Sequence, residues 1–250
     1  MNREISGLVG VWWREFKVFS RERSRVFSSI ISPLMWLFLF GSGMGARYSV
    51  DGVSYRDFIY PGILAMTVIF GSVFFGVYIV WDRKIDVFKA VLVAPLSRFS
   101  IFAGKVLGGC TDVLLQVSVL FVLSFLFPSA SPYGIPLAFL FLFVSAVALV
   151  SLGLAIGSLL RSLEGFQLIS ALIVFPLFFS SGALFPVDRN LPFWLKYLIA
   201  INPLSYTVDG VRGALLRIHS HPLWLDFFYV SLFAIFMLLL GSFLFSRMKL

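Results

Sequence analysis

One carboxylate stands beyond the first turn of a long apolar run of this chain: Asp112, in Val106–Phe127. Ionisable groups within apolar segments mark ion or proton routes by default. Lys105 precedes Asp112 by seven residues and Gln116 follows it by four, so the three share one helix face. Two chemistries fit. Asp112 could carry a coupling ion, or it could pair with Lys105 near the end of its run and be structural. The other groups with catalytic or ligand potential form weaker patterns. His219 and His221 lie two apart beside Pro222 with no third ligand next to them, so no metal site is expected. Cys110 is the single cysteine, which permits no internal disulfide and reads as a small buried hydrophobe. Gly104-Lys105 is followed by Val106 and has Phe99 where a phosphate-binding loop needs glycine. HExxH and GxSxG patterns are absent. The chain therefore reads as a protein that is not an enzyme, with no catalytic residue, cofactor or metal of its own.

A second set of charges is grouped with apolar partners. The segment Trp81–Lys105 reads WDRKIDVFKAVLVAPLSRFSIFAGK. Asp82, Arg83, Asp86 and Lys89 form a charged start, while Ile85, Phe88, Val91 and Leu92 share one helical face. Pro95 should end that helix, and Arg98 follows it. Such an amphipathic helix could press on a soluble protein, or lie at a membrane surface with its lysines extended to water. The first 25 residues give the same choice. Ile5, Leu8, Val9, Trp12, Phe16 and Phe19 recur at helical spacing, with Arg14, Lys17, Ser20 and Arg21 on the other face. That pattern predicts an interfacial helix, either an anchor alone or a contact for a partner.

The elements that position these groups are apolar runs long enough to cross a bilayer. The chain of 250 residues is 60% hydrophobic and 13% charged, with thirty phenylalanines. A soluble domain is about 45–50% apolar and about 25% charged. Six runs are expected to be transmembrane helices: 26–46, 58–80, 106–127, 135–160, 165–187 and 223–246. At about 1.5 Å per residue, roughly 20 residues cross a hydrocarbon core of about 30 Å. Backbone groups in lipid must be satisfied internally, and the period-two alternation of a membrane barrel is missing, so the expected fold is all-α. The first run begins only at Val26, after charged residues, so no cleavable signal is read.

Lysine and arginine order these runs. With six spans and the N-terminus inside, fourteen of the twenty basic residues fall on the cytoplasmic side. This bias predicts a multi-pass protein of the cell membrane with both termini cytoplasmic. The net charge of +8 then follows topology, and no nucleic-acid partner is expected. Residues 81–105 become a cytoplasmic loop and 188–222 an outer one. The outer segment is too apolar for a solvated loop. Leu191–Ile201 and Ser205–Arg217 read as two short helices broken at Asn202-Pro203, an outer re-entrant or interfacial hairpin on which Asp209 and Arg212 could pair.

The order of features is similar to a known family. An amphipathic N-terminal helix leads to RERSR and SPLMWLFLFG. The DRK…APLSR…GK loop follows, and FPLFFSSGALFPVDRNLP and NPLSYTVDGVRGALL stand near the end. The whole chain resembles the permease subunits of type-2 ATP-binding cassette exporters, closer to the drug, lipid and nodulation-factor branch than to the polysaccharide branch. The resemblance implies a single transmembrane domain, 1–250, coupled to two copies of a separate cytoplasmic ATPase that binds ATP and Mg. It implies a second permease copy, a homodimer in the lipid bilayer. Asp82, Arg83, Asp86, Phe88, Lys89, Leu92 and Arg98 would lie on the coupling helix that docks on the ATPase. The family has glycine and then glutamate in that segment where this chain has Asp86 and Lys89. Arg14, Lys17 and Arg21 would lie on the connecting helix. Asn202, Pro203, Asp209 and Arg212 would belong to the outer re-entrant helices. Spans one, two and five would flank a path for an amphipathic drug, lipid or lipid-linked glycan. Its candidate lining is Trp36, Phe74, Tyr78, Phe175 and Phe179, each of which could instead face lipid. The alternative is a secondary transporter or channel coupled through Asp112.

Overall fold

The computed structural model describes residues 2–45, 49–50, 52–85, 96–122, 130–187 and 191–248. The expected coupling positions Asp86, Phe88, Lys89 and Leu92 lie outside these residues. In chain order the elements are α1 (Asn2–Arg21), α2 (Arg23–Gly45), β1 (Ser49–Val50), β2 (Val53–Ser54), α3 (Tyr55–Phe75) and α4 (Val77–Lys84). They continue with α5 (Arg98–Val122), a 3-10 turn at Pro132–Gly134, α6 (Ile135–Leu159), α7 (Leu163–Phe179), α8 (Phe193–Ile201), α9 (Pro203–Leu216) and α10 (Leu223–Ser246). The fold is helical apart from β1 and β2. These pair antiparallel as a two-residue ladder between α2 and α3, a small departure from a purely helical expectation.

Among the described residues four stretches are long and apolar enough to cross a membrane: Tyr55–Lys84, Arg98–Val122, Pro132–Leu159 and Leu223–Ser246. The bent pair Arg3–Arg21 and Val26–Gly41 makes a fifth if it is one span. The apolar run expected at 165–187 is helical only as Leu163–Phe179, seventeen residues. The reason is local. The Ser180 and Ser181 hydroxyls donate to the last-turn carbonyls of Pro176 and Phe178, and the chain turns at Gly182, which sits at φ +70°. The expected loop 81–105 also shrinks, because Trp81–Lys84 completes α4 and Arg98–Lys105 opens α5.

The core surrounds α3 and α6. Ile59, Ile63, Val68 and Val73 of α3 are buried, as are Phe141, Leu142, Leu149 and Leu154 of α6. α3 starts at Ser54, whose hydroxyl accepts from the Asp57 N–H. It breaks at Gly76, and α4 continues across α6. A Cβ on Gly76 would overlap the Gly153 carbonyl, and one on Gly153 would overlap the Val73 carbonyl. Gly76 has an ordinary helical φ of −58°, so glycine is required there for space and not for conformation. Close backbone approach through small residues is how apolar helices associate where lipid competes for side-chain contact. α7 and α10 lie at the margin. Leu168 and Leu172 of α7 are 73% and 74% exposed, as expected of lipid-facing or partner-facing helices.

Candidate functional site

A fully buried lysine organises the end of the bundle from which the 85–97 connection leaves. Lys105 Nζ, with no side-chain exposure, donates to Glu15 Oε1 and Asp82 Oδ2, both at 2.8 Å. Arg14 donates to Asp82 at 2.7 Å and to Glu15 at 2.9 Å. The hydrogen bond to Asp82 holds the Arg14 guanidinium above its ordinary value. Two cations and two carboxylates thus join α1, the end of α4 and the start of α5. In a low-dielectric interior such charges persist only when every one is paired and hydrogen-bonded. The sequence-level pairing of Lys105 with Asp112 is therefore corrected: Lys105 reaches α1 and α4 instead. Asp112 is itself fully buried on α5, away from that cluster.

The packing of α1 explains how Glu15 reaches this position. α1 packs against the bundle. It runs alongside the first half of α5, in the same direction. Glu4 accepts from the Ser97 N–H and hydroxyl and from the Ser100 hydroxyl, and Trp12 Nε1 donates to Thr111 Oγ1 at 2.9 Å. The hydrogen bonds from Ser100 and then Ser97 hold Glu4 below the usual carboxylate range. Gly108 leaves room for Glu15, whose Cβ would stand 2.6 Å from any Cβ added there. Lys17 lies over the Trp13 ring at 5.4 Å, and Arg21 ends the helix exposed.

Of the described members of the expected coupling set, Asp82 is buried, Arg83 is partly buried and Arg98 is exposed. Asp82 belongs to the charge cluster. Arg83 donates to the carbonyls of Gly157 and Leu160, closing the end of α6. Arg98 donates to Ser246 and Met248 carbonyls, closing the end of α10. Each positive charge meets the negative end of a helix dipole and fills carbonyls with no partner within their own helix. These three residues fix both ends of the 85–97 connection to the bundle.

A cavity of about 470 Å³ opens between α2, α3 and α7, with α4 and α5 at its edge. Trp36, Phe74, Tyr78, Phe175 and Phe179 all line it, joined by Phe70 and Phe178. Phe70 meets Phe175 and Phe178 edge-on at 5.5 Å and 5.9 Å. Ser29, Ser32, Thr67 and Gln116 supply its few polar groups. Of the other span aromatics, Phe38 points away from the cavity and is largely exposed, whereas Phe75 is buried in the core. A mostly apolar, aromatic pocket of this volume with few polar groups is the usual form of a small-molecule site.

At the opposite end, Asn202 sets the break between α8 and α9. Its Oδ1 accepts from Leu204 N, and its Nδ2 donates to Leu177 O at 2.6 Å and to Ser180 Oγ at 3.0 Å. Pro203 takes the first helical position, where its missing N–H costs nothing. Asn202→Ala should lower stability by about 1–2 kcal/mol, since it removes a helix cap and the tie to α7. Pro203→Ala should be milder because the cap remains. Thermal unfolding of the purified variants gives the comparison, and equal losses would contradict this ordering. Asp209 and Arg212 do not pair. Asp209 accepts from the Ser220 and His221 N–H groups, while Arg212 donates to Gly182 O and covers the Phe58 ring at 3.9 Å.

Sequence comparison places this geometry. A sequence model described as ABC-2 type transporter matches residues 7–216, most of the chain, so the protein belongs to the ABC-2 type transporter family. It is a multi-pass membrane protein of the permease type. It is 33% identical over 235 residues to a Cyanophora paradoxa protein whose name describes a transport permease, ycf38, covering 89% of this chain and 78% of that one. It is 28% identical over 236 residues to the inner membrane transport permease YadH of Escherichia coli, covering 91% and 90%. It is 27% identical over 216 residues to nodulation protein J of Rhizobium leguminosarum, covering 83% and 82%.

Proposed function

We propose that the chain is the membrane-spanning subunit of an ATP-driven exporter and carries an amphipathic substrate: a drug, a lipid or a lipid-linked glycan. The observation that carries this reading is the aromatic cavity between α2, α3 and α7, beside a helix whose Leu168 and Leu172 are exposed. An apolar molecule could enter it from lipid, and the few hydroxyl and amide groups suit a polar head. The six-span topology adds α2, and α7 with its turn, to the four long stretches. It leaves both termini and the 81–105 region in the cytoplasm, and α8–α9 as the outer re-entrant hairpin. A separate ATPase, two copies with ATP and Mg, docks on the 86–95 segment. Family membership supports association with such an ATP-binding subunit. The charge cluster supports a rigid link from that segment to α1 and α5. A second copy of the chain faces the exposed side of α7, forming a homodimer.

The test is co-purification with a cytoplasmic ABC ATPase of the same organism, followed by ATPase activity in lipid nanodiscs. A complex with two copies of each chain and lipid-dependent hydrolysis is expected. In that complex the Phe88→Glu/Leu92→Glu double variant should cut transport at least about tenfold, a coupling change of ~1.4 kcal/mol, with permease levels unchanged. Undiminished transport removes the docking assignment. If the chain purifies alone and no ATPase binds, the exporter reading fails and Asp112 becomes the residue to test for ion coupling.

A further inference from the structure

Three ligand-bearing side chains from separate segments converge at the end of the bundle opposite the charge cluster. Asp209 comes from α9, His221 from the connection that follows, and Asp226 from the first turn of α10. His221 Nδ1 lies 3.5 Å from Asp209 Oδ2 and 3.9 Å from Asp226 Oδ1. One ligand atom from each residue lies within 4.8 Å of the others. A tetrahedral ion with bonds of about 2.0–2.1 Å holds neighbouring ligand atoms about 3.4 Å apart. Small side-chain rotations would close the triangle.

The second observation is the state of Asp226. Its side chain is fully buried, and among the described residues neither carboxylate oxygen has a hydrogen-bond partner. A buried carboxylate in that condition is strongly disfavoured unless a cation or a proton meets it. Asp209 is already prepared as a ligand. The N–H groups of Ser220 and His221 fix its carboxylate while leaving lone pairs unused. His221 is half-exposed, and a cavity of about 200 Å³ beside it, lined by Tyr206, Asp209, Arg212 and Ser220, supplies a way in. Lys196 and Arg212 also line that cavity, and their positive charge opposes a cation. Arg212 is held away on Gly182 O and the Phe58 ring.

The geometry points to a divalent transition-metal site formed by Asp209, His221 and Asp226, with zinc the best match to one imidazole and two carboxylates. One imidazole nitrogen disfavours calcium and magnesium, and the absence of a thiolate disfavours copper(I). Three protein ligands leave one position for water or an external ligand. The ion would tie α9 to the start of α10, adding to the stacked rings of Tyr206 and Tyr229 between the two helices. His219 takes no part, since its side chain packs against Gly213.

The probe is Zn²⁺ with the full-length permease, purified without a histidine tag, stripped with chelator and held in nanodiscs. A Cys110→Ser background removes the single thiol. Titration against a chromophoric chelator should show one Zn²⁺ per chain, and zinc should raise the unfolding temperature. His221→Ala, a substitution at a half-exposed side chain, should weaken binding at least about tenfold and remove the thermal shift. Asp226→Asn should do the same, while His219→Ala should leave both unchanged. Two results would overturn the site. One is stoichiometric binding that survives both His221→Ala and Asp226→Asn. The other is no zinc-dependent shift, with Asp226→Asn more stable than the parent, which would mean that Asp226 holds only a proton.

Discussion

Lys105→Met should release α1 from the bundle and abolish transport. Methionine matches the length of the lysine stem, so the change removes a charge without opening a cavity. What remains is two carboxylates, Glu15 and Asp82, each almost fully buried and sharing one half-exposed arginine. Removing one partner of a buried ion network costs about 3–5 kcal/mol, because the surviving charges are left uncompensated. That is a large part of the roughly 5–15 kcal/mol by which folded domains are stable. The variant should unfold at a clearly lower temperature in detergent, and protease should cleave within residues 1–25 sooner than in the parent. The Glu15→Gln/Lys105→Met double variant separates stability from coupling. It removes one charge of each sign and keeps Arg14 on Asp82, so stability should return to within about 1–2 kcal/mol of the parent. If the network also transmits movement from the 86–95 segment to α1, transport stays low in the double variant. Parental stability and transport in Lys105→Met itself would show that the cluster holds nothing.

This cluster also marks where sequence reading stopped. The apolar runs located the long helices because hydropathy and length are local properties, and the resemblance, which put spans one, two and five beside a path, pointed to aromatic side chains that share one cavity. Glu15 went unmarked. It sits beside Arg14 on a helix whose charged face reads as solvent-exposed, and its other partner, Lys105, is 90 residues away. Lys105 was visible as a lysine next to an apolar run, and Asp112 on the same face was the nearest acid in sequence. Three-dimensional packing supplied a closer pair from other helices. The faint signal was the glycine series Gly104 and Gly108, which clears one side of α5 for another helix to approach. The end of α7 was misplaced for a different reason. Composition stays apolar through Val187, whereas the helix stops at Phe179, where the Ser180 and Ser181 hydroxyls take its last carbonyls and Gly182 turns the backbone. His221 was seen only beside His219, its neighbour in sequence, and not beside Asp209 and Asp226, its neighbours in space.

Gly153→Leu should be as damaging as loss of the lysine, through geometry instead of charge. At this crossing the backbones of α3, α4 and α6 touch. A side chain at Gly153 would meet the Val73 carbonyl, and one at Gly157 would meet the Gly76 carbonyl. A carbonyl cannot rotate aside as a side chain can, and Val73, Phe75, Ile79 and Val150 around it are fully buried. Overpacking of a filled core costs about 1–3 kcal/mol even where side chains can adjust, and the upper end or beyond is expected where backbone is the obstacle. The consequence reaches the charge cluster. α4 extends from Gly76 to Lys84 and carries Asp82 to Lys105 and Arg83 to the end of α6, so spreading the crossing moves both. Gly153→Leu should therefore lower the unfolding temperature and also reduce transport in whatever fraction folds. Gly10→Ala is the control. Nothing lies within 4 Å of a Cβ at Gly10 on α1, and alanine there should be neutral or stabilise by about 0.5–1 kcal/mol. Equal behaviour of the two variants in thermal unfolding would show that the α3–α6 crossing is looser than its backbone contacts require.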